Sequence, residues 1–161
     1  MSTREFMIAR RNAEFPAFQR VLDALPRDHW AYKPHERSPS AGSLVWTLAT
    51  ETKACCDLIQ QGHIDWQVGA PPEDPDEVKR LHDSHYQELT RLVSHLDSDA
   101  WARNGQLRAG GKTMMEMPLG DLLWFFFFDA IHHRGQLSTY IRPMGGRVPA
   151  IYGPSGDEPG G

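Results

Sequence analysis

Apolar residues recur at helical spacing in four segments of the chain, and stretches rich in proline and glycine separate these segments. Residues three, four and seven positions apart share one face of an α-helix, so the periodicity predicts four amphipathic helices. Their predicted ranges are residues 3–25, 41–61, 75–96 and 119–143. Pro16 falls inside the first range, where it either kinks the helix or marks a new start.

The residues between these ranges favour turns and loops. The segments "LPRDHWAYKPHERSPS" and "HIDWQVGAPPEDP" are predicted to be connections without regular structure, since proline cannot continue a helix. The segment "WARNGQLRAGGKTMMEMPLG" combines Asn-Gly and Gly-Gly turn signals with a short alternating run, which predicts a small β-hairpin before the last helix.

These elements predict an all-α fold, a four-helix bundle formed by a single domain over residues 1–161. A chain of this length, with 40% hydrophobic residues, can bury a substantial core. The tail, residues 145–161, is rich in proline and glycine but contains aliphatic and aromatic side chains, so we expect it to pack on the bundle.

Composition excludes several classes of function. The net charge of −4 and the scattered Lys and Arg residues give no basic surface for nucleic acid. No apolar run approaches the roughly 20 residues that span a bilayer, and the first residues lack the layout of a secretory signal, so a cytoplasmic location is expected. Cys55 and Cys56 are adjacent and are predicted to be reduced thiols.

A carboxylate interrupts the apolar face of the second predicted helix. Glu51 falls within the stripe formed by Leu44, Leu48, Cys55 and Leu58. Burial of an unpaired charge costs several kcal/mol. Glu51 is therefore expected to be exposed by local geometry, protonated, paired with another group, or bound to a cation.

The last predicted helix repeats this feature. Its apolar face continues onto Asp129, His133, Gln136 and Tyr140. Residues 124–128, "WFFFF", are apolar almost all round the helix and must be covered on several sides, so homodimerisation through them is a reasonable hypothesis. On the third helix, His82 and His85 share the apolar side, as core histidines or as further partners of a site.

Two stretches of the chain resemble a known family. The segment "DAIHHRGQLSTYIRPMGGRVPAIYGPSGDE" resembles the end of the DinB/YfiT-like metalloenzymes, and "YKPHERSPSAGSLVWTLATE" resembles their entry into the second helix. The resemblance covers nearly the whole chain. It implies an up-down-down-up four-helix bundle, dimeric in many members, with a divalent metal between the second and fourth helices. Members include thiol-dependent S-transferases and isomerases that use bacillithiol, mycothiol or glutathione.

The ligands that this resemblance implies are three histidines, one on the second helix and an H-x-x-x-H pair on the fourth. Only His133 matches; Asp129 stands one turn earlier, and Thr47 aligns with the second-helix histidine. Because Glu51 lies one turn beyond Thr47, two carboxylates and one imidazole can converge where three imidazoles are usual. We predict Glu51, Asp129 and His133 as ligands of a divalent metal ion, either Ni, Zn, Fe or Mn.

The same helices supply candidates for catalysis. Gln136 is predicted to contact substrate or a bound water, Tyr140 to donate a proton or to orient the ligands, and His85 to act as a general base if it reaches the open side. The function predicted from the resemblance is a metal-dependent thiol S-transferase or hydrolase that acts on a small-molecule substrate.

A structural role for these residues is the alternative. Asp129 and His133 can form a pair four residues apart while Glu51 accepts a hydrogen bond from His85 or Tyr140. The protein would then be a catalytically silent dimer of the same fold, with a role in stress response or in binding a partner. Stoichiometric metal in the purified protein distinguishes the two hypotheses.

Overall fold

The computed structural model describes residues 1–159, which form five α-helices, one short 3₁₀ helix (Arg27–His29) and three short strands. The four long helices are α1 (Thr3–Asp23), α2 (Ala41–Gln61), α3 (Pro75–His95) and α5 (Leu119–Ile141), and the short helix is α4 (Ser98–Ala102). The strands are β1 (His63–Asp65), β2 (Asn104–Ala109) and β3 (Lys112–Pro118). The four predicted helices are confirmed, each ending within two residues of its predicted limit.

Local residues explain where the long helices begin and end. Ser2 and Glu5 form a capping box at the start of α1, which continues through Pro16 without a break. The Ser40 hydroxyl accepts a hydrogen bond from the Ser43 amide at the start of α2, and Gly62 ends that helix with a left-handed φ of 79°. Each of these signals lies within a few residues of the boundary that it sets.

The prediction of an all-α fold is wrong in one respect, because a small sheet accompanies the helices. Strands β2 and β3 form the predicted antiparallel hairpin. Strand β1, in a segment predicted to be a loop, pairs in parallel with β2 through His63 and Gln106 and through Ile64 and Leu107. Three residues are too few for strand alternation to be recognised in a sequence. The fold is therefore mostly helical with a three-stranded sheet.

The long helices pack so that α1 and α2 each contact both α3 and α5. The stripe predicted on α2 is buried, since Leu44, Leu48, Cys55 and Leu58 all belong to the core. On α1, Phe15 is half-buried, whereas Met7, Arg11, Glu14 and Phe18 face inward. The interior between α1, α3 and α5 therefore contains charged side chains.

Side chains of the tail form hydrogen bonds with the helices. The Tyr152 hydroxyl donates a hydrogen bond to Glu14 Oε2 on α1 at 2.8 Å and accepts one from Arg134 Nη2 on α5 at 2.5 Å. Arg142 Nε donates to Asp157 Oδ2 at 2.9 Å. The last two residues of the predicted domain and tail, 160 and 161, lie outside the described part of the chain.

Within residues 1–159, none of the helices combines the length and the apolar character that crossing a bilayer requires.

Candidate metal centre

Three side chains meet where α2 faces α5. Glu51 comes from α2, whereas Asp129 and His133 stand one turn apart on α5. His133 Nε2 lies 3.5 Å from Asp129 Oδ2 and 3.6 Å from Glu51 Oε1. One atom from each residue lies within 4.8 Å of the other two. The structure therefore brings together the three residues that the sequence singled out.

The cluster is closed on its α2 side and open on its α5 side. The Glu51 side chain is 5% exposed and that of His133 is 19% exposed, whereas that of Asp129 is 38% exposed. A cavity of about 20 Å³ behind Glu51, lined by Arg11, Thr52, Cys55 and Tyr86 among others, has room for about one water molecule. Solvent therefore reaches the cluster from the side of Asp129.

The cluster contains two carboxyl groups but only one basic group. Burial raises the pKa of Glu51 to about 7, with a further upward contribution from the Asp129 carboxylate. The pKa of His133 is also raised, chiefly by the Glu51 carboxylate, whose Oε1 lies 3.6 Å from Nε2. Two carboxylates therefore share one imidazole, and Glu51 Oε2 is buried without a hydrogen-bond partner in the described structure.

The cluster has the donor set and spacing that a divalent cation requires. Two ligand atoms on one metal ion, each about 2.1 Å from it, lie roughly 3.0 to 3.5 Å apart in tetrahedral or octahedral geometry. The separations from His133 Nε2, 3.5 and 3.6 Å, are close to this range. A cation held between Glu51 Oε1, Asp129 Oδ2 and His133 Nε2 would also reduce the repulsion between the two carboxylates. Glu51, Asp129 and His133 therefore fit a metal ion.

The second ring nitrogen of His133 faces the two α5 residues predicted to be catalytic. His133 Nδ1 lies 3.4 Å from Gln136 Oε1, and Gln136 Nε2 donates to the Tyr140 hydroxyl at 3.3 Å. That hydroxyl donates to the carbonyl oxygen of Pro39, also at 3.3 Å, and Tyr140 is 2% exposed. Both residues thus contact the site through His133 rather than from its open side.

The structure does not bring His85, the predicted general base, into this cluster. Its Nδ1 lies 3.1 Å from the carbonyl oxygen of Ala49, on the side of α2 that packs on α3, and burial lowers its pKa. Thr47 donates its hydroxyl to the carbonyl oxygen of Ser43 at 3.0 Å. His82 is a core histidine, 1% exposed, with Nδ1 lying 3.1 Å from Asp83 Oδ1.

Arg11 is a buried charged residue near the site. It was not among the residues predicted from the sequence. Its guanidinium lies 3.9 Å from the centre of the Tyr86 ring and donates to the carbonyl oxygen of Tyr86 at 3.0 Å. Burial lowers its pKa. Its position four residues after Met7 and seven before Phe18 was the available signal, because that spacing places it on the buried face of α1.

Comparison with known proteins identifies the family of the chain. The profile of the DinB family matches residues 1–159. The chain belongs to the DinB family. Among its relatives is the uncharacterized protein YrdA of Bacillus subtilis (strain 168), which is 28% identical over 148 residues, covering 90% of this chain and 85% of YrdA.

Several solved structures share the fold of this chain. The crystal structure of YjoA, a DinB-like protein from Bacillus subtilis, matches with a TM-score of 0.70 at 20% identity, covering 89% of this chain and 96% of YjoA. A mycothiol-dependent maleylpyruvate isomerase matches with a TM-score of 0.59 at 16% identity, covering 91% of this chain and 64% of the isomerase. At these identities the likeness concerns the fold alone.

Proposed function

We propose that this DinB protein is a metal-dependent enzyme that transfers a low-molecular-weight thiol to a small molecule or hydrolyses one. Glu51, Asp129 and His133 would hold the divalent cation. The observation that carries the proposal is the buried Glu51 carboxylate, whose Oε2 has no partner although a second carboxylate and an imidazole lie beside it. Such an arrangement is expensive unless a cation balances it.

The metal ion would supply Lewis acidity, which lowers the pKa of a bound water or keeps a thiol deprotonated. The residues of the chain would bind and orient the substrate and exclude solvent from it. Glu51 and the packed core close the α2 side, and the half-exposed Asp129 borders the side through which a substrate enters. Phe125, 44% exposed and one turn before Asp129, offers an apolar surface to that substrate.

A thiol that takes part in the reaction would come from outside the protein. Cys55 and Cys56 are both buried, and burial raises the pKa of both thiols, that of Cys56 to about 11. Neither forms a thiolate nucleophile at neutral pH. The mycothiol dependence of the maleylpyruvate isomerase gives a precedent for an external thiol on the same fold.

The ligand set favours a particular kind of metal. Two carboxylates cancel the charge of a divalent cation, whereas three neutral histidines leave it intact. Oxygen ligands also favour harder ions, so among Ni, Zn, Fe and Mn we expect Mn(II) and Fe(II) to bind more competitively here than at a three-histidine site. The lower residual charge makes the site less attractive to anionic substrates than a three-histidine site.

We further propose an assembly and a location for the enzyme. The long helices would run up-down-down-up, as the family resemblance implies, and the protein would act in the cytoplasm as a homodimer. The candidate interface, here called the aromatic face, consists of Phe6, Trp124, Phe127, Phe128 and Ile131 along α1 and α5. Phe128 is 62% exposed there, and a second copy of the same face would cover it.

The proposed metal can be tested directly. Protein purified without a chelating tag should contain metal, or take up one equivalent of Fe(II), Mn(II), Ni(II) or Zn(II), as measured by elemental analysis. Glu51→Gln and Asp129→Asn should each reduce the uptake strongly, whereas Glu36→Gln, at an exposed position, should leave it unchanged.

Chelator treatment gives a second measure. A ligand that binds only the folded state stabilises it, by about 2.7 kcal/mol at one hundred times its Kd, so removal of the metal should lower the melting temperature. Absence of stoichiometric metal under all four incubations, with identical melting curves with and without chelator, would overturn the enzyme proposal. The alternative, a catalytically silent protein of this fold, would then be favoured.

A further inference from the structure

We propose that Tyr140 and Gln136 are positioning residues that fix the tautomer of His133, so that Nδ1 carries the hydrogen and Nε2 presents its lone pair to the metal centre. The effect on metal binding rests on the function proposed above. The tautomer itself is a property of the metal-free chain and can be tested separately. The inference comes from the direction of successive hydrogen bonds.

The direction is set at the backbone of Pro39. A carbonyl oxygen can only accept a hydrogen bond, and the Tyr140 hydroxyl lies 3.3 Å from this one. The hydroxyl has one hydrogen, and the carbonyl oxygen uses it. The Tyr140 hydroxyl oxygen can then only accept a further hydrogen bond, and it accepts one from Gln136 Nε2 at 3.3 Å.

Gln136 passes this direction on to His133. With its Nε2 used as donor to Tyr140, the amide presents Oε1 to His133 Nδ1 at 3.4 Å. An amide oxygen only accepts, so Nδ1 must carry a hydrogen. In a neutral imidazole the lone pair is then on Nε2, the atom that lies 3.5 Å from Asp129 and 3.6 Å from Glu51.

We call the hydrogen bonds from Pro39 through Tyr140 and Gln136 to His133 the relay. Packing around Tyr140 holds the relay in place. Tyr140 is 2% exposed, and its ring packs edge-on against Tyr32 at 5.7 Å between centres. Pro39 directly precedes Ser40, the residue that caps α2. The relay therefore connects α5, which carries His133, to the start of α2, the helix that carries Glu51. It thereby holds His133 and Glu51 in fixed positions relative to each other.

The opposite arrangement would hinder metal binding. A Gln136 amide turned by half a rotation would offer N–H to Nδ1, leaving the hydrogen on Nε2, between the carboxylates. A cation would then have to displace that hydrogen and reverse the whole relay. Hydrogen bonds from outside the ligand set typically change metal affinity about 10- to 100-fold.

The tautomer can be measured on the wild-type protein without metal. Long-range ¹H–¹⁵N NMR in the presence of a chelator, at a pH above the midpoint of the His133 titration followed in the same spectra, distinguishes a protonated Nδ1 from a protonated Nε2. We expect the Nδ1–H form for His133. Observation of the Nε2–H form would overturn the inference, whether or not the protein binds metal.

Variants test the consequence for binding, with Zn(II) as the probe. Gln136→Leu removes the hydrogen-bond acceptor that faces His133 Nδ1 and should weaken Zn(II) binding about 10- to 100-fold. Gln136→Glu keeps an acceptor there and should retain Zn(II) binding. Tyr140→Phe preserves the ring contact with Tyr32 and should weaken binding by a smaller factor. Ser138→Ala, on the same helix but bonded to Gly135, is the matched control.

The outcomes separate the two proposals. If wild type binds Zn(II) and Gln136→Leu binds it as well as Ser138→Ala does, the positioning role is wrong while the metal centre stands. If wild type binds none of the four metals, the proposed function is wrong, and the NMR tautomer alone decides the inference. Rescue by Gln136→Glu distinguishes an acceptor at this position from a merely structural side chain.

Discussion

The charge of Glu51 governs how the metal-free protein responds to pH. Burial raises the pKa of Glu51 from 4.5 to about 7, and the adjacent Glu51 carboxylate raises the pKa of His133 above 6.5. Both groups hold their protons more tightly in the folded state, so stability should fall as pH rises, between 4.5 and about 7 for Glu51 and from 6.5 upward for His133. The Glu51 contribution is roughly 3 kcal/mol.

Denaturant unfolding with a chelator present, at about pH 5 and about pH 8, measures this effect. Glu51→Gln cannot ionise and should show a much smaller difference between the two conditions. The comparison of the two proteins removes the contributions of other titrating groups. A wild-type difference equal to that of the variant would show that Glu51 is not the source.

Asp129 should affect stability and metal affinity in opposite directions. Its carboxylate repels Glu51 in the metal-free cluster, so Asp129→Asn should stabilise the metal-free protein while weakening metal binding. Because the Asp129 side chain is 38% exposed and screened by solvent, we expect a gain of less than about 1 kcal/mol. Melting curves with chelator and titrations with Mn(II) give the two values, and a loss of metal-free stability would contradict the prediction.

Helical spacing singled out Glu51, Asp129 and His133 because each interrupts an apolar stripe, and the family resemblance implied that they converge. The sequence predicted less about the groups around them. The partner of Tyr140, Pro39, lies 101 positions away along the chain, and no local pattern relates the two. For His85, periodicity gave the correct face of α3 but not the neighbour that it meets, the carbonyl oxygen of Ala49.

At the scale of elements, the ends of the helices were predictable because their signals are local. Ser40 and Gly62 bound α2 through their own side-chain and backbone preferences. Strand β1 and helix α4 were missed, since three and five residues are too short for a periodicity to emerge. Strand β1 exists because β2, some 40 residues later, offers it a partner.

One buried ion pair joins α1 to α5, and Tyr152 of the tail is hydrogen-bonded to both of its members. Arg134 Nη1 donates to Glu14 Oε2 at 2.5 Å, and Arg134 is 2% exposed. Glu14→Ala leaves that guanidinium buried without its partner and should destabilise the fold by about 3 to 5 kcal/mol. Tyr152→Phe removes only hydrogen bonds to the pair and should lower stability by about 1 kcal/mol.

Chemical denaturation of the two variants measures these losses, and limited proteolysis reports release of the tail. Glu36→Ala, in the exposed connection before α2, is the control for loss of a glutamate. Equal stabilities for Glu14→Ala and Glu36→Ala would show that the pair does not hold the tail and helices together.

At the scale of the whole molecule, the family and the mostly helical fold follow from the sequence. The two stretches that resembled DinB proteins belong to a match over residues 1–159. The small sheet and the buried charges of α1 did not follow, because they depend on which elements meet in space. The single domain and the direction of each helix in a bundle stay predictions.

The aromatic face predicts a change of assembly on mutation. Phe128→Glu places a charge on the proposed dimer contact, where its desolvation would be costly, and should convert the protein to monomers. Met114→Glu alters an equally exposed apolar residue, 63% exposed, on β3 and should not. Sedimentation analysis gives the masses. Identical masses for wild type and both variants would place any self-association elsewhere.

Glu51 and its two partners belong to helices far apart in the chain. An ion shared between them would act as a removable cross-link, closing a loop of about 80 residues that includes α3 and the hairpin. Loading would then slow the opening motions that expose backbone amides in these elements to hydrogen exchange. The enclosed segments would report occupancy of the centre through their exchange rates, far from the ligands themselves.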